Sequence, residues 1–118
     1  MAMNESLTLE QGVTWNDRQF PPLKLWSDAA KTTVLPLTGY MGRSMLRKKY
    51  SDVSPVATLA VVIDIPSATI RRSYTATLSR AVPAGNYFHD LEIFTAADAD
   101  VIRVVQGVIT VTAEATKQ

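Results

Sequence analysis

Apolar residues recur along this chain with a period of two rather than 3.6. In Tyr87-Phe88-His89-Asp90-Leu91-Glu92-Ile93 the odd positions carry Tyr87, His89, Leu91 and Ile93, while Asp90 and Glu92 share the opposite face. That is the alternation of a strand with one buried face, whereas a helix would mix the two sets. The same spacing holds for Leu7, Leu9, Val13 and Trp15, for Leu59, Val61, Ile63 and Ile65, and for Tyr74, Ala76 and Leu78. After Leu37-Thr38-Gly39, the even positions Tyr40, Gly42, Ser44 and Leu46 face one way and Met41, Arg43, Met45 and Arg47 the other. Gly39 and Gly42 there suit a close backbone or inter-sheet approach. Val101 to Thr112 is rich in Val, Ile and Thr, which suit a pleated surface, and Gly107 within it predicts a bulge or bend.

Turn residues punctuate these runs: Phe20-Pro21-Pro22, Leu35-Pro36, Ser54-Pro55, Ile65-Pro66-Ser67, Pro83-Ala84-Gly85 and the Ala/Asp segment 96–100. They leave about seven predicted strands, at 6–15, 21–27, 38–48, 56–65, 70–79, 86–95 and 101–114. The one helical candidate is a turn within Ser79–Pro83. Short strands, regular turns and no longer amphipathic helix predict an all-β fold, an antiparallel β-sandwich or small barrel.

Length keeps that fold to one domain, because two independent cores would each be marginal in 118 residues. Residues 1–6, short of apolar side chains, read as an N-terminal arm, and 7–118 as the sandwich domain. The first six residues lack the basic and apolar regions of a secretion signal. The longest nearly apolar stretch, Val56 to Ile63, is far short of the roughly 20 residues of a membrane helix, so no membrane partner is expected. With no cysteine there is no disulfide framework, no thiolate nucleophile and no Cys-ligated metal.

Candidate chemistry is sparse. His89 is the one imidazole, and its neighbour Asp90 points to the other face of the same strand, so the two cannot form an oriented dyad. His89 reads as a core ring between Tyr87 and Leu91. Asp90, Asp98 and Asp100 could ligate a hard cation, but the segment lacks the glycine and closing glutamate of a calcium loop and reads as a solvated turn. Gly39 and Gly42 lie within a strand, not between a strand and a helix, so they make no phosphate cradle. No enzyme activity, cofactor or metal is expected.

Charge is more informative. Lys and Arg number 12 against 11 Asp and Glu, but residues 1–42, 43–80 and 81–118 carry −1, +5 and −3 respectively. Arg43, Arg47, Lys48 and Lys49 cluster, joined in composition by Arg71, Arg72 and Arg80. One reading is a solvated strand end whose lysines deter unwanted sheet addition. The other is a complementary contact, with the basic face of one protomer meeting the acidic C-terminal third of a neighbour. Arg43, Arg47, Lys48, Lys49, Arg71 and Arg72 are the interface candidates. Thin aromatic interleaving and near-neutral charge argue against nucleic acid.

The order of several segments resembles the immunoglobulin-like β-sandwich family of tailed-bacteriophage virion proteins, which includes the collar proteins that ring the tail of long-tailed phages and hold side fibres. The matching pieces are Leu9-Glu10-Gln11-Gly12-Val13-Thr14-Trp15, Pro36-Leu37-Thr38-Gly39-Tyr40-Met41-Gly42-Arg43 followed by Arg47, Ala84-Gly85-Asn86-Tyr87-Phe88-His89-Asp90-Leu91-Glu92, and Val104-Val105-Gln106-Gly107-Val108-Ile109-Thr110-Val111 leading to Glu114-Ala115-Thr116. Leu78, Gly85 and Tyr87 also resemble a tyrosine corner, in which a Tyr hydroxyl ties back to an upstream backbone group. His89 stands where an aromatic is common in the family. The resemblance implies a non-enzymatic virion protein, assembled in the host bacterial cytoplasm, that forms a homo-oligomeric ring in tail, baseplate or neck. It would anchor fibres or neighbouring tail proteins. The alternative is a receptor- or glycan-binding module of a phage fibre, for which Trp15, Trp26, Phe20 and Tyr50 are the candidate aromatic platform.

Overall fold

Strand pairing organises the chain in a computed structural model that describes residues 3–26, 30–49, 51–52 and 54–114. The elements are β1 (Met3–Asn4), β2 (Leu7–Glu10), β3 (Met41–Arg47), β4 (Ala57–Asp64), β5 (Thr69–Ser73), α1 (Ala76–Arg80), β6 (Gly85–Phe94), a 3-10 turn (Ala96–Asp98) and β7 (Val101–Thr112). The protein is all-β, a curled mixed sheet in the order β1-β7-β6-β3-β4-β5, with β2 also on β7.

Five predicted strands match β3, β4, β5, β6 and β7 in position, and the first shortens to β2. The seventh differs: of the strand expected over 21–27, the described residues 21–26 contribute only the bridges Leu23↔Ile70 and Trp26↔Val34, because Pro21 and Pro22 remove the amide donors that a ladder needs. Its place in the count is taken by β1, within the segment expected to hang free as an arm. The antiparallel expectation also needs correction. β6 pairs antiparallel with β3 and β7, but Met3–Asn4 and Leu7–Glu10 run parallel to Val105–Gln106 and Ile109–Thr112. The segment enters along the last strand and then crosses to the far edge, where Trp15 bridges Tyr74, so β1 and β2 have no hairpin partner to reverse their direction.

The strand predicted over 70–79 ends at Ser73 and gives way to α1. Thr75 accepts the Leu78 amide as N-cap. The chain's turn to helix carries Leu78 out of strand parity, and that side chain is 49 % exposed. Corner geometry follows: the buried Tyr87 hydroxyl donates to the Pro83 carbonyl at 2.5 Å, the tie expected of that tyrosine.

β4 changes partner midway, pairing through Ala57–Leu59 with β3 and through Ala60–Asp64 with β5. Gly42 permits the close approach at this switch, since a Cβ there would stand 2.2 Å from Val61 Cγ1. The bulge in β7 falls at Val104, not Gly107: Leu91 pairs with Val105 and Glu92 with Arg103. One extra residue lets both Val104 and Val105 point inward.

Two apolar clusters fill the curl. Leu9, Trp15, Phe20, Leu46, Tyr87 and Ile109 belong to one, and Leu37, Ile70, Leu91, Ile93, Val104 and Val105 to the other. His89 stands between Tyr87 and Leu91 on the inward face, so a polar layer separates the clusters.

Candidate functional site

That layer is built by the N-terminal segment. Glu5, between β1 and β2, donates its amide to Gln106 and lays its carbonyl 2.7 Å from His89 Nε2. A carbonyl only accepts, so Nε2 carries the imidazole proton. The Glu5 carboxylate takes both terminal nitrogens of Arg72, at 2.7 and 3.0 Å. The Arg72 guanidinium also lies 4.7 Å over the Phe20 ring. Gly107 is required opposite, because a Cβ at that position would stand 2.0 Å from the Glu5 carbonyl oxygen. Among the described residues, His89 Nδ1 and Arg72 Nε are buried with no hydrogen-bond partner. Burial, opposed by the Glu5 carbonyl and carboxylate, pushes the His89 pKa below its ordinary value.

Arg72 therefore requires correction as an interface candidate: it is 1 % exposed and belongs to the interior. β5 alternates, so its neighbour Arg71 faces out and pairs with Asp17. The sequence pattern placed two arginines side by side but could not show that the arm supplies an internal carboxylate for one of them. Glu5 itself was missed. The available signal was a lone carboxylate in an otherwise uncharged segment, which says nothing without the location of its partner.

The remaining candidates lie along β3 and the turn that follows it. Arg43 sits on the outer face of β3, donating to Glu92 at 2.9 Å and reaching Asp98 at 3.5 Å, with its guanidinium 4.4 Å over Phe94. Arg103 on β7 completes the row with a 2.7 Å bond to the other Glu92 oxygen. Burial alone would raise the Glu92 pKa, but the hydrogen bonds from Arg103 and Arg43 outweigh it and hold the carboxyl below its ordinary range. Next to it, burial and the Glu92 charge push Asp90 up. Arg47 is spent on the Asp52 carbonyl and on Met45 Sδ. Lys48 and Lys49 are exposed, and neither ammonium has an ion-pair partner among the described residues.

The sequence-level charge blocks are thus largely joined within one chain. Arg43 and Arg80 from the basic block meet Glu92, Asp98 and Glu114 from the acidic block. Among the described residues Arg47 is bound to neutral acceptors, and Lys48 and Lys49 are the candidates whose charged groups have no hydrogen-bond or ion-pair partner.

Of the aromatic platform, Trp15 and Phe20 are core residues at 0 % exposure, Trp26 is 38 % exposed, and Tyr50 lies outside the described residues. A concavity of about 460 Å³ opens where β4 leaves β3 for β5, lined mainly by Thr58, Leu59, Ala60, Tyr74 and Leu78. Among the described residues no three His or carboxylate side chains converge, and no helix is long and apolar enough to cross a membrane. Fold and site together define an all-β protein whose polar groups are mostly engaged in holding strands to one another. No known protein family and no curated protein matches the chain.

Proposed function

We propose that this chain is a non-enzymatic structural component of a tailed-bacteriophage virion. In this reading it is an immunoglobulin-like sandwich, made in the host bacterial cytoplasm, that assembles as a homo-oligomeric ring in tail, baseplate or neck and anchors fibres or neighbouring tail proteins. One observation carries the reading. The four segments that resemble the phage family, scattered through the chain from residue 9 onward, overlap β2 at Leu9–Glu10, β3 at Met41–Arg43 and Arg47, β6 at Gly85–Glu92 and β7 at Val104–Val111, and these strands are adjacent in the sheet as β2-β7-β6-β3. Resemblance confined to chance turns would have no reason to select one contiguous surface. The Tyr87 tie to Pro83 supports the same reading, since such a corner is a feature of immunoglobulin-like sandwiches.

Affinity in a ring is multiplied by symmetry, so modest single contacts suffice. The test is a pull-down with tagged protein against purified tail, baseplate and neck proteins encoded beside it, with partners identified by mass. Retention of a defined tail component is the expected result. A chain that stays monomeric when dilute and retains none of them overturns the proposal.

A further inference from the structure

The sheet gives the exposed charges a direction. β3 and β6 pair from Met41↔Phe94 at one end to Arg47↔Phe88 at the other, six steps that span about 20 Å at roughly 3.4 Å per residue. Beyond the Arg47 end project Lys48 and Lys49, exposed and without an ion-pair partner among the described residues. Beyond the Met41 end projects the turn between β6 and β7, where Ala96, Ala97, Asp98, Ala99 and Asp100 are all exposed. Among the described residues the Asp100 carboxylate there accepts a neutral tyrosine hydroxyl from Tyr40 and makes no ion pair, and Asp98 has one ion-pair contact, at 3.5 Å to Arg43. Cationic and acidic poles therefore sit at opposite ends of one strand pair.

Shape and polarity match the charges. Next to the acidic turn, Met41 and Val101 are exposed by 54 % and 41 %. Next to the lysines, a concavity of about 370 Å³ is lined by Lys48, Asn86, Tyr87, Phe88 and Val108. A narrow projecting turn with two carboxylates and apolar flanks thus has its complement on the other end of the same molecule.

We infer that the turn at 96–100 of one copy docks against the Lys48–Lys49 end of a second copy, with Asp98 and Asp100 facing the two ammonium groups and Val101 or Met41 covering the concavity beside Lys48. The contact is heterologous, each copy using a different surface, so it propagates and closes into a ring or runs on as a filament. It rests on the building-block reading for its purpose, though its surfaces are defined by the chain alone.

The experiment measures mass by sedimentation equilibrium across protein concentration and salt. At about 20 mM salt the mass should rise with concentration, and at about 0.5 M it should fall toward the 12.9 kDa monomer, because exposed charges are screened over a few ångströms at high ionic strength. Lys48→Glu/Lys49→Glu and Asp98→Lys/Asp100→Lys should each weaken association at least about tenfold at low salt. An equimolar mixture of the two should restore it, since one variant has two acidic ends and the other two basic ends. Circular dichroism checks that each is folded. Asp98→Asn/Asp100→Asn replaces the lysine variant if that one is not, because Asn tolerates the positive φ of 53° at residue 98, and it should weaken association in the same direction.

A wild-type chain that is monomeric at every concentration overturns the inference. So do folded charge variants that associate like wild type, or a mixture of folded reversed variants that stays monomeric. A monomeric chain that still retains tail proteins refutes this contact and leaves the anchoring role of the proposed function standing. One that assembles pole to pole but retains none keeps the contact and removes the anchoring role.

Discussion

Glu5→Ala should destabilise the protein far more than an N-terminal substitution ordinarily does. The Arg72 side chain is 0 % exposed and that of Glu5 13 %, so the variant leaves a cation enclosed while removing its bidentate partner. Breaking a buried pair from one side costs about 3–5 kcal/mol, most of it the uncompensated charge. At roughly 4 °C per kcal/mol for a domain of this size, Tm should fall by about 12–20 °C. The asymmetry in exposure makes the second half of the prediction. Arg72→Met strands a carboxylate that keeps access to water and forfeits the stacking over Phe20 at 4.7 Å, a loss of about 1–2 kcal/mol. The double variant removes both charges and should be more stable than Glu5→Ala alone. Urea denaturation followed by circular dichroism gives all four corners of the cycle, with the m-value showing whether β1 and β2 have detached before global unfolding. A loss below about 1 kcal/mol for Glu5→Ala, or an additive further loss from Arg72→Met, would show that the arm is not held by this pair.

Three further outcomes test the surroundings. His89 has its pKa lowered on folding, so the unfolded chain binds the proton first, and stability should fall as pH drops below about 6.5 toward the folded value; His89→Gln, which can still donate to the Glu5 carbonyl, should remove that slope in pH-dependent urea melts, and an unchanged slope refutes it. Asp90, raised by burial, contributes with the opposite sign in the carboxylate range and is common to both proteins. Gly107→Ala should cost about 1–3 kcal/mol by driving a methyl into the Glu5 backbone, and amide exchange should locate the loosening in Leu7–Glu10 rather than in β3; uniform protection would contradict the assignment. Tyr87→Phe should cost about 1 kcal/mol by leaving the Pro83 carbonyl without its donor, measured as a shift in urea midpoint at constant m, whereas an unchanged midpoint would mean that the corner tie contributes nothing.

Alternation made β3, β4, β5, β6 and β7 legible because each has one face in the core. Tyr87, His89, Leu91 and Ile93 are all buried, as their parity requires. Where burial does not alternate, the pattern gave no purchase. Residues 21–26 carry Leu23, Leu25 and Trp26 in a strand-like run, but two prolines leave them only isolated bridges to the ladder. Met3–Asn4 has no apolar alternation because both side chains are exposed; its pairing is purely backbone, which composition does not record. Gly107 draws the expected bulge to itself, yet the paired Val104-Val105 is the informative signal: two inward residues in succession require a change of phase.

Charge shows the same limit more sharply. A block of +5 facing a block of −3 is satisfied equally by two chains meeting or by one chain folding, and sequence spacing cannot separate them. The sheet separates them by register. Arg43 pairs with Glu92 across β3 and β6, so their side chains emerge side by side on one face and neutralise locally; Lys48 and Lys49 run past the last β3–β6 pair, where the Asp52 carboxylate accepts the Lys49 backbone amide at 3.2 Å and neither ammonium has an ion-pair partner among the described residues. Effective concentration explains why this order holds: charges fixed within a few ångströms in one fold always pair before charges on separate molecules. What is available to a partner is therefore the remainder after internal pairing. On the β3–β6 strand pair that remainder lies at its two ends, Lys48 and Lys49 at one and Asp98 and Asp100 at the other, which favours a directional contact over a broad electrostatic face.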